Sequence, residues 1–400
     1  MEKAKKRALL GVSIGHAAHD VWFGLTPVLL AALSGQMALS NADIGLAVLL
    51  YEGISSFTQP LFGRLAERVG GRILGVGAIL WTTSVFSISL FVESKTALGL
   101  CIALGGLGSG AWHPQGMANA SIAGGKGWGA TSTSIFSLGG MLGSAFLGAA
   151  LGGYILEAHG RRALLVISVI TVALALGFVR RMIPEQIEVP DEDVSDAKEG
   201  DGSGHHLFWV MVGFLLLGMA LRSLTQFSLN AYIPKYFQDM GRSPATYGII
   251  ASLFSAATAI GGVAGSYLGD RIGLQRVLMA SLLLGCASLL LFVRLEAFWS
   301  ALFLILCGLA VGPSQTLFIV TGQRRFPRRM AMISGVFLGF TFISGSGGSW
   351  LLGLLADRIG LGSAFSLLPW ALLISAFFTL LSVPRFLHKV LPEREDAPTA

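Results

Sequence analysis

A small set of side chains in this sequence handles protons or binds anions, yet stands inside strongly apolar stretches. His16, His19 and Asp20 follow one another at spacings that put all three on one face of a helix. Asp20 can exchange a proton there, with His16 one turn away as its modulator. Glu52, seven positions before Gln59-Pro60, is a second carboxylate able to load and release a proton near neutral pH if it is shielded from water. His113 sits in Trp112-His113-Pro114-Gln115, directly after a glycine-rich run, where Pro114 kinks a helix and frees backbone groups beside the imidazole. Arg222, Gln226 and Asn230 recur every four residues on one face, and Arg222 is a permanent cation. An ionisable group at the centre of a membrane helix costs about 2.5–3.5 kcal/mol, so each of these is a functional candidate. Each also has a plainer role open to it. The His16–His19–Asp20 group can be a static polar knot, Glu52 can lie near water, His113 can be a hydrogen-bonded structural histidine, and Arg222 can be permanently paired with Asp20 or Glu52 rather than with a substrate.

The elements that must position these groups follow from composition. The chain has 400 residues, 53% hydrophobic and 12% charged, with a mean hydropathy of +0.70. A soluble domain carries about 25% charged residues. Half that number leaves too little polar surface for water, whereas lipid solvates the outside of apolar helices directly. The 53 glycines allow such helices to approach closely. Spans of about 20 apolar residues are expected at 8–33, 44–62, 73–92, 97–121, 130–154, 163–182, 207–235, 246–268, 277–295, 298–320, 331–354 and 364–383. The fold class expected is therefore an all-α membrane protein, with twelve transmembrane helices in two pseudo-symmetric six-helix bundles. The bundles are 1–183 and 207–400, joined by a cytoplasmic linker at 184–206 that is rich in Pro, Gly, Ser and acids. With both termini cytoplasmic, most of the 28 Lys and Arg fall on the inner side, as the positive-inside rule requires. The basic N-terminus resembles a secretory leader, but His16, His19 and Asp20 interrupt its apolar run, so it is expected to remain as a span.

The two halves repeat. Gly63-Arg64-Leu65-Ala66-Glu67-Arg68-Val69-Gly70 is matched by Ser266-Tyr267-Leu268-Gly269-Asp270-Arg271-Ile272-Gly273, each after the second span of its half. Glu67, Arg68, Arg72, Asp270 and Arg271 are the expected gating residues, since an acid beside a helix N-terminus and its arginines can latch one face closed. Duplicated halves of this kind belong to transporters that rock around a central site.

No GxxxxGK[ST] or HExxH occurs, so no nucleotide site or metalloprotease centre competes with transport, and no cofactor or metal is expected. Cys101, Cys286 and Cys307 lie in apolar segments without CxxC spacing and read as small hydrophobes. The net charge of +6 is spread in short clusters between spans, which argues against nucleic acid as a partner.

The duplicated loop and the twelve spans resemble the major facilitator superfamily, with Glu67 where its loop motif has Asp and Ser266 where it has Gly. Gly139-Gly140-Met141-Leu142-Gly143 is similar to the superfamily's Gly-rich antiporter motif, with Ser144 at the usual Pro. Within the superfamily the chain resembles the fosmidomycin-resistance type of efflux protein. The residues that carry this are His16 with Asp20, Ser55-Ser56 with Gln59-Pro60, Gly108 through Pro114, Ser137 through Gly140, Gly335 through Gly339 and Gly353 through Asp357. The resemblance implies proton-driven export of a small molecule across a bacterial inner membrane. Glu52 stands where that group has Gln and Arg222 where it has Lys, so the drug itself does not carry over. The expected proton carriers are Asp20, Glu52 and His16. The expected substrate contacts are Arg222, His113, Gln226, Asn230, Gln315 and His19, lying between the first, fourth, seventh and tenth spans. The protein is expected to work as a monomer in the lipid bilayer, with protons and a small molecule as its partners. Proton-coupled uptake of an organic anion is the alternative, and a non-transporting membrane receptor a more distant one.

Overall fold

The computed structural model describes residues 3–124, 129–183, 185, 205–295, 297–325 and 330–383. Almost all of these are helical. We label the helices α1 (Lys3–Leu33), α2 (Asn41–Val69), α3 (Gly71–Ser89) and α4 (Lys95–Gly124). Helix α5 runs through Gly129–Met141, a wider π-helical stretch Leu142–Leu151, and Gly152–His159. Helix α6 starts with a tight turn at Arg161–Leu164 and continues through Leu165–Leu174, Ala175–Val179 and Arg180–Met182. Then follow α7 (His205–Asp239), α8 (Pro244–Ile272), α9 (Leu274–Arg294), α10 (Ala297–Arg325) and α11 (Met330–Ile359), with α12 formed by Leu361–Phe365 and Leu368–Leu381. The linker expected at 184–206 lies almost wholly outside the described residues.

Nine of these helices are long and apolar enough to cross a membrane, among the described residues. Helices α1, α2 and α4 are not in that group although they have 31, 29 and 30 residues. They are the helices that carry His16, His19, Asp20, Glu52 and His113, and these polar groups pull their hydropathy down. Large apolar side chains face outward, with Phe57 and Val263 each 76% exposed, as lipid solvation requires.

Contacts divide the chain into two units. The first comprises Met1–Glu192, Phe227–Ala256 and Ser346–Ala364; the second comprises Asp193–Gln226, Ala257–Gly345 and Phe365–Ala400. The first unit has a core around Trp112, Phe136, Val12 and Ile79, all buried. In the same unit, the ends of α7, α8 and α11 pack against the ends of α1, α2 and α5. Gly153 of α5 and Gly248 of α8 approach so closely that a Cβ on Gly153 would come within 2.5 Å of the Pro244 carbonyl oxygen. A Cβ on Gly353 would likewise meet Asn41 O at 2.6 Å. Only glycine permits this spacing.

Candidate functional site

The polar groups of α1 meet one histidine of α4 inside the first unit. Helical spacing brings His16 and Asp20 together as expected, with His16 Nε2 3.1 Å from Asp20 Oδ2, off the line of a good hydrogen bond. His16 donates its Nδ1–H to the Phe136 carbonyl oxygen at 2.8 Å, and its ring stacks on Phe136 with centroids 4.0 Å apart. His19 donates Nδ1–H to Asp20 Oδ1 at 2.8 Å, and its Nε2 accepts from the Thr82 hydroxyl of α3 at 3.2 Å. His113 donates Nδ1–H to the Ser109 carbonyl oxygen at 2.9 Å, and its Nε2 stands 3.9 Å from Asp20 Oδ1. Gly140 of α5 closes the other side. A side chain there would come within 2.5 Å of His16 Nε2 and 2.8 Å of Asp20 Oδ2.

The hydrogen bonds fix the chemistry. His16 and His113 each commit one N–H to a main-chain carbonyl, so each presents a lone pair on Nε2 when neutral. Both lone pairs and the Asp20 carboxylate face a common space, with the three ligand atoms within 4.8 Å of one another. Three acceptors facing one another need a positive species between them. That spacing would also suit a metal ion, but the His16–Asp20 pair already stands at ion-pair distance, which a shared proton accounts for without a metal. His113 is the most open of the three, its side chain 32% exposed against 8% for His16 and 15% for Asp20. Glu52 is buried on α2 and forms no ion pair among the described residues.

Beside this cluster, and in the same unit, lies a cavity of about 80 Å³. Phe23, Tyr51, Phe227 and Phe254 line it, with Asn230 and Ser144 among its polar groups. Of the substrate contacts expected from the sequence, Asn230 is the one found here.

Arg222 lies in the second unit and is 1% exposed. Its Nε–H donates to the Ser314 hydroxyl at 2.7 Å and its Nη2–H to the Val311 carbonyl oxygen at 3.3 Å. Nη1 is buried without a hydrogen-bond partner, and no ion pair reaches the guanidinium among the described residues. Gln226 and Gln315 belong to the same unit, Gln226 buried and Gln315 half-buried.

The expected gating loops carry few contacts. Arg72 donates to the Ile183 carbonyl oxygen at 2.8 Å and pairs with Glu185 at 2.5 Å. Arg271 stacks over the Tyr267 ring at 4.5 Å. Glu67, Arg68 and Asp270 form no ion pair among the described residues. The strong end contacts lie elsewhere, at the end of the first unit away from the N-terminus. Asp357 of α11 accepts from the N–H groups of Asn41 and Ala42 at 2.7 and 3.0 Å and from the Asn41 side-chain amide at 3.0 Å, capping α2 from another helix. Glu157 of α5 accepts from the Ala245 N–H of α8 at 2.9 Å. The Ser243 hydroxyl and this N–H hold the exposed Glu157 carboxyl below the ordinary glutamate range. Tyr232 bridges the same end, its hydroxyl 2.9 Å from Asn41 O and 3.0 Å from Ser349 O. Glu157 and Asp357 occupy matching places in the two halves, each three residues before a glycine with positive φ, Gly160 at 76° and Gly360 at 86°. That match was visible in the sequence and is the signal by which these caps could have been found.

The model of the Major Facilitator Superfamily matches residues 13–241 and 215–400, and the chain belongs to that family. It is a multi-pass membrane transporter and not an enzyme. It is 26% identical over 376 residues to the fosmidomycin resistance protein of Escherichia coli (strain K12), covering 93% of this chain and 90% of that one. It is 24% identical over 363 residues to the gentisate transporter of Corynebacterium glutamicum, covering 86% of this chain and 80% of that one. Its fold is similar to the crystal structure of a bacterial homolog to the human lysosomal transporter Spinster, in an inward-facing and unoccupied conformation. That match has a TM-score of 0.74 at 15% identity and covers 96% of each chain.

Proposed function

We propose that this protein is a proton-coupled secondary transporter that exports a small molecule from a bacterium across its inner membrane by alternating access. In this reading twelve spans form two six-helix bundles, 1–183 and 207–400, and both termini are cytoplasmic. The observation that supports it is the convergence of His16 Nε2, His113 Nε2 and the Asp20 carboxylate on one space. Asp20 is the principal carrier, His16 shares its proton, and Glu52 is the second carboxylate. His113, being the more open, hands the proton to and from water. The capped ends at Asp357–Asn41 and Glu157–Ala245 form the closed outer gate, and Glu67, Arg68, Arg72, Asp270 and Arg271 act at the inner face when it closes. Asn230 and the cavity it lines receive the substrate, with His19 of the same unit as a further polar contact.

The test begins with a growth screen of an export-deficient host on toxic compounds, to find a cargo. Purified protein in proteoliposomes then transports it under an imposed pH gradient. Asp20→Asn and Glu52→Gln should lose gradient-driven accumulation while still exchanging cargo across the membrane. Wild-type rates in both variants would sink the assignment.

A second reading is proton-coupled uptake of a small organic anion. The observation in its favour is Arg222, a buried cation with an open Nη1 position that an anionic group would satisfy. Under an inward-directed proton gradient, uptake drives cargo into the liposome with the protons and export drives it out against them, so the sign of flux separates the two.

A further inference from the structure

The cavity in the first unit is built differently from the polar cluster beside it. Four aromatic side chains form its walls, and three of them, Tyr51, Phe227 and Phe254, are less than 9% exposed. Phe23 and Tyr51 stand with ring centroids 5.7 Å apart and their planes tilted by 31°. Asn230 and Ser144 supply polar atoms at the edge. A small cavity with such walls favours a flat, mostly apolar ligand.

Tyr51 also belongs to the neighbourhood of the proton cluster. Its ring packs on Gly105 of α4, where a Cβ would lie 3.4 Å from the ring edge. One helical turn on, its hydroxyl comes beside the Ser109 side chain. Ser109 receives the Ser55 hydroxyl at 2.9 Å, and its carbonyl oxygen holds the Nδ1–H of His113. His113 faces Asp20. The cavity wall and the acid are therefore linked along α4, by the Tyr51 ring on Gly105, by Ser109 one turn on, and by His113 held on Ser109 and facing Asp20.

We infer that this cavity binds an aromatic ring of the transported molecule, and that Tyr51 is the positioning residue through which an occupied cavity alters proton binding at Asp20. This rests on the transport reading above. A ring stacked on Tyr51 shifts its hydroxyl against Ser109, and His113, anchored on Ser109, moves relative to Asp20. The charged or titratable groups that face Asp20 in the fold are His16 and His19 of α1 and His113 of α4, with Glu52 of α2 nearby.

The test uses the full chain in lipid nanodiscs, with phenol and cyclohexanol as probes that share their non-hydrogen atom count and differ in aromaticity. Binding is measured by saturation-transfer NMR with the signal of empty discs subtracted, and proton uptake or release by a pH-indicator dye in weak buffer. Phenol should bind about fivefold more tightly than cyclohexanol. Phe227→Leu and Phe254→Leu should remove that preference, and Ala251→Phe, which fills the cavity from its lining, should abolish phenol binding. Tyr51→Phe, read at saturating phenol, should lose the proton change that accompanies phenol binding in the wild type. Equal binding of the two probes, or a preference unchanged in the two Leu variants and in Ala251→Phe, overturns the ring site. A wild-type proton change in Tyr51→Phe, or none in the wild type, overturns the role of Tyr51. Asp20→Asn separates this inference from its foundation. Loss of phenol preference with Asp20-dependent transport intact defeats the inference alone, whereas transport indifferent to Asp20→Asn defeats the transport reading and leaves the ring site standing.

Discussion

Asp20 and Arg222 are opposite charges in similar positions, each in a long helix of a membrane protein, and their surroundings differ completely. Asp20 has three imidazoles within 3.9 Å, each held by a further hydrogen bond to another part of the first unit. Arg222 has a hydroxyl, a carbonyl and one unsatisfied nitrogen. A buried charge with built-in partners is set up to exchange a small species such as a proton without the site falling apart. A buried charge left short of partners is destabilising by itself, and it stays in a protein where something else completes it. Under the proposed function, the first is the coupling site, and the second is the anion contact of the uptake reading.

The sharpest way to break this comparison is to remove each charge. Asp20→Ala leaves the imidazoles around an empty place and should destabilise the detergent-solubilised protein by about 3–5 kcal/mol, the usual cost of breaking a buried pair. Arg222→Met should be neutral or stabilising by about 1–4 kcal/mol, because an apolar side chain replaces an uncompensated charge. Thermal unfolding of the two variants reads both effects, and shifts of the same sign would end the contrast. A smaller effect sharpens it. Ser314→Ala removes the hydroxyl that accepts from Arg222 Nε and should cost about 1.5–3 kcal/mol, the range for hydrogen bonds to charged groups. The loss should be recovered by Arg222→Met in the same chain, and a loss that persists in the double variant would mean that Ser314 acts apart from the guanidinium.

The capped ends give the smallest effects. Asp357→Ala should cost about 0.5–2 kcal/mol, the range for a helix cap, and should raise labelling of a Ser255→Cys probe in the cavity by a thiol reagent. Unchanged labelling would mean that this cap does not close the outer end. Its counterpart Glu157 can be tested by pH. Its carboxyl is held below its ordinary value, so the bond to α8 contributes fully above the ordinary glutamate range of about 4.3 and is lost as pH falls through the lowered value. In the Asp357→Ala background, labelling should rise further on acidification below that range, and Glu157→Gln should remove the pH dependence.

Much of this protein was legible in one dimension. Charge in hydrocarbon is so costly that His16, Asp20, Glu52, His113 and Arg222 stood out against their neighbours, and a spacing of four on a helix brought His16 to Asp20 without help from the rest of the fold. The same rule reached its limit in α7. Arg222, Gln226 and Asn230 share one face by spacing, yet Arg222 and Gln226 lie in the second unit while Asn230 lines a cavity of the first. A helix of 35 residues is longer than any one packing environment.

Amino-acid type and helical period together determined that the chain is an all-α membrane protein, and which few ionisable side chains stand inside its apolar helices. Tertiary structure alone decided that His113 faces Asp20, that Phe23, Tyr51, Phe227 and Phe254 enclose one space out of 25 phenylalanines and six tyrosines in the chain, and that Asp357 and Glu157 cap helices far away in sequence. The physical reason is range. Burial cost and helix geometry act within a residue or a turn, whereas acceptors, rings and caps acquire their roles from atoms up to some 300 positions distant, brought there by the packing of whole helices.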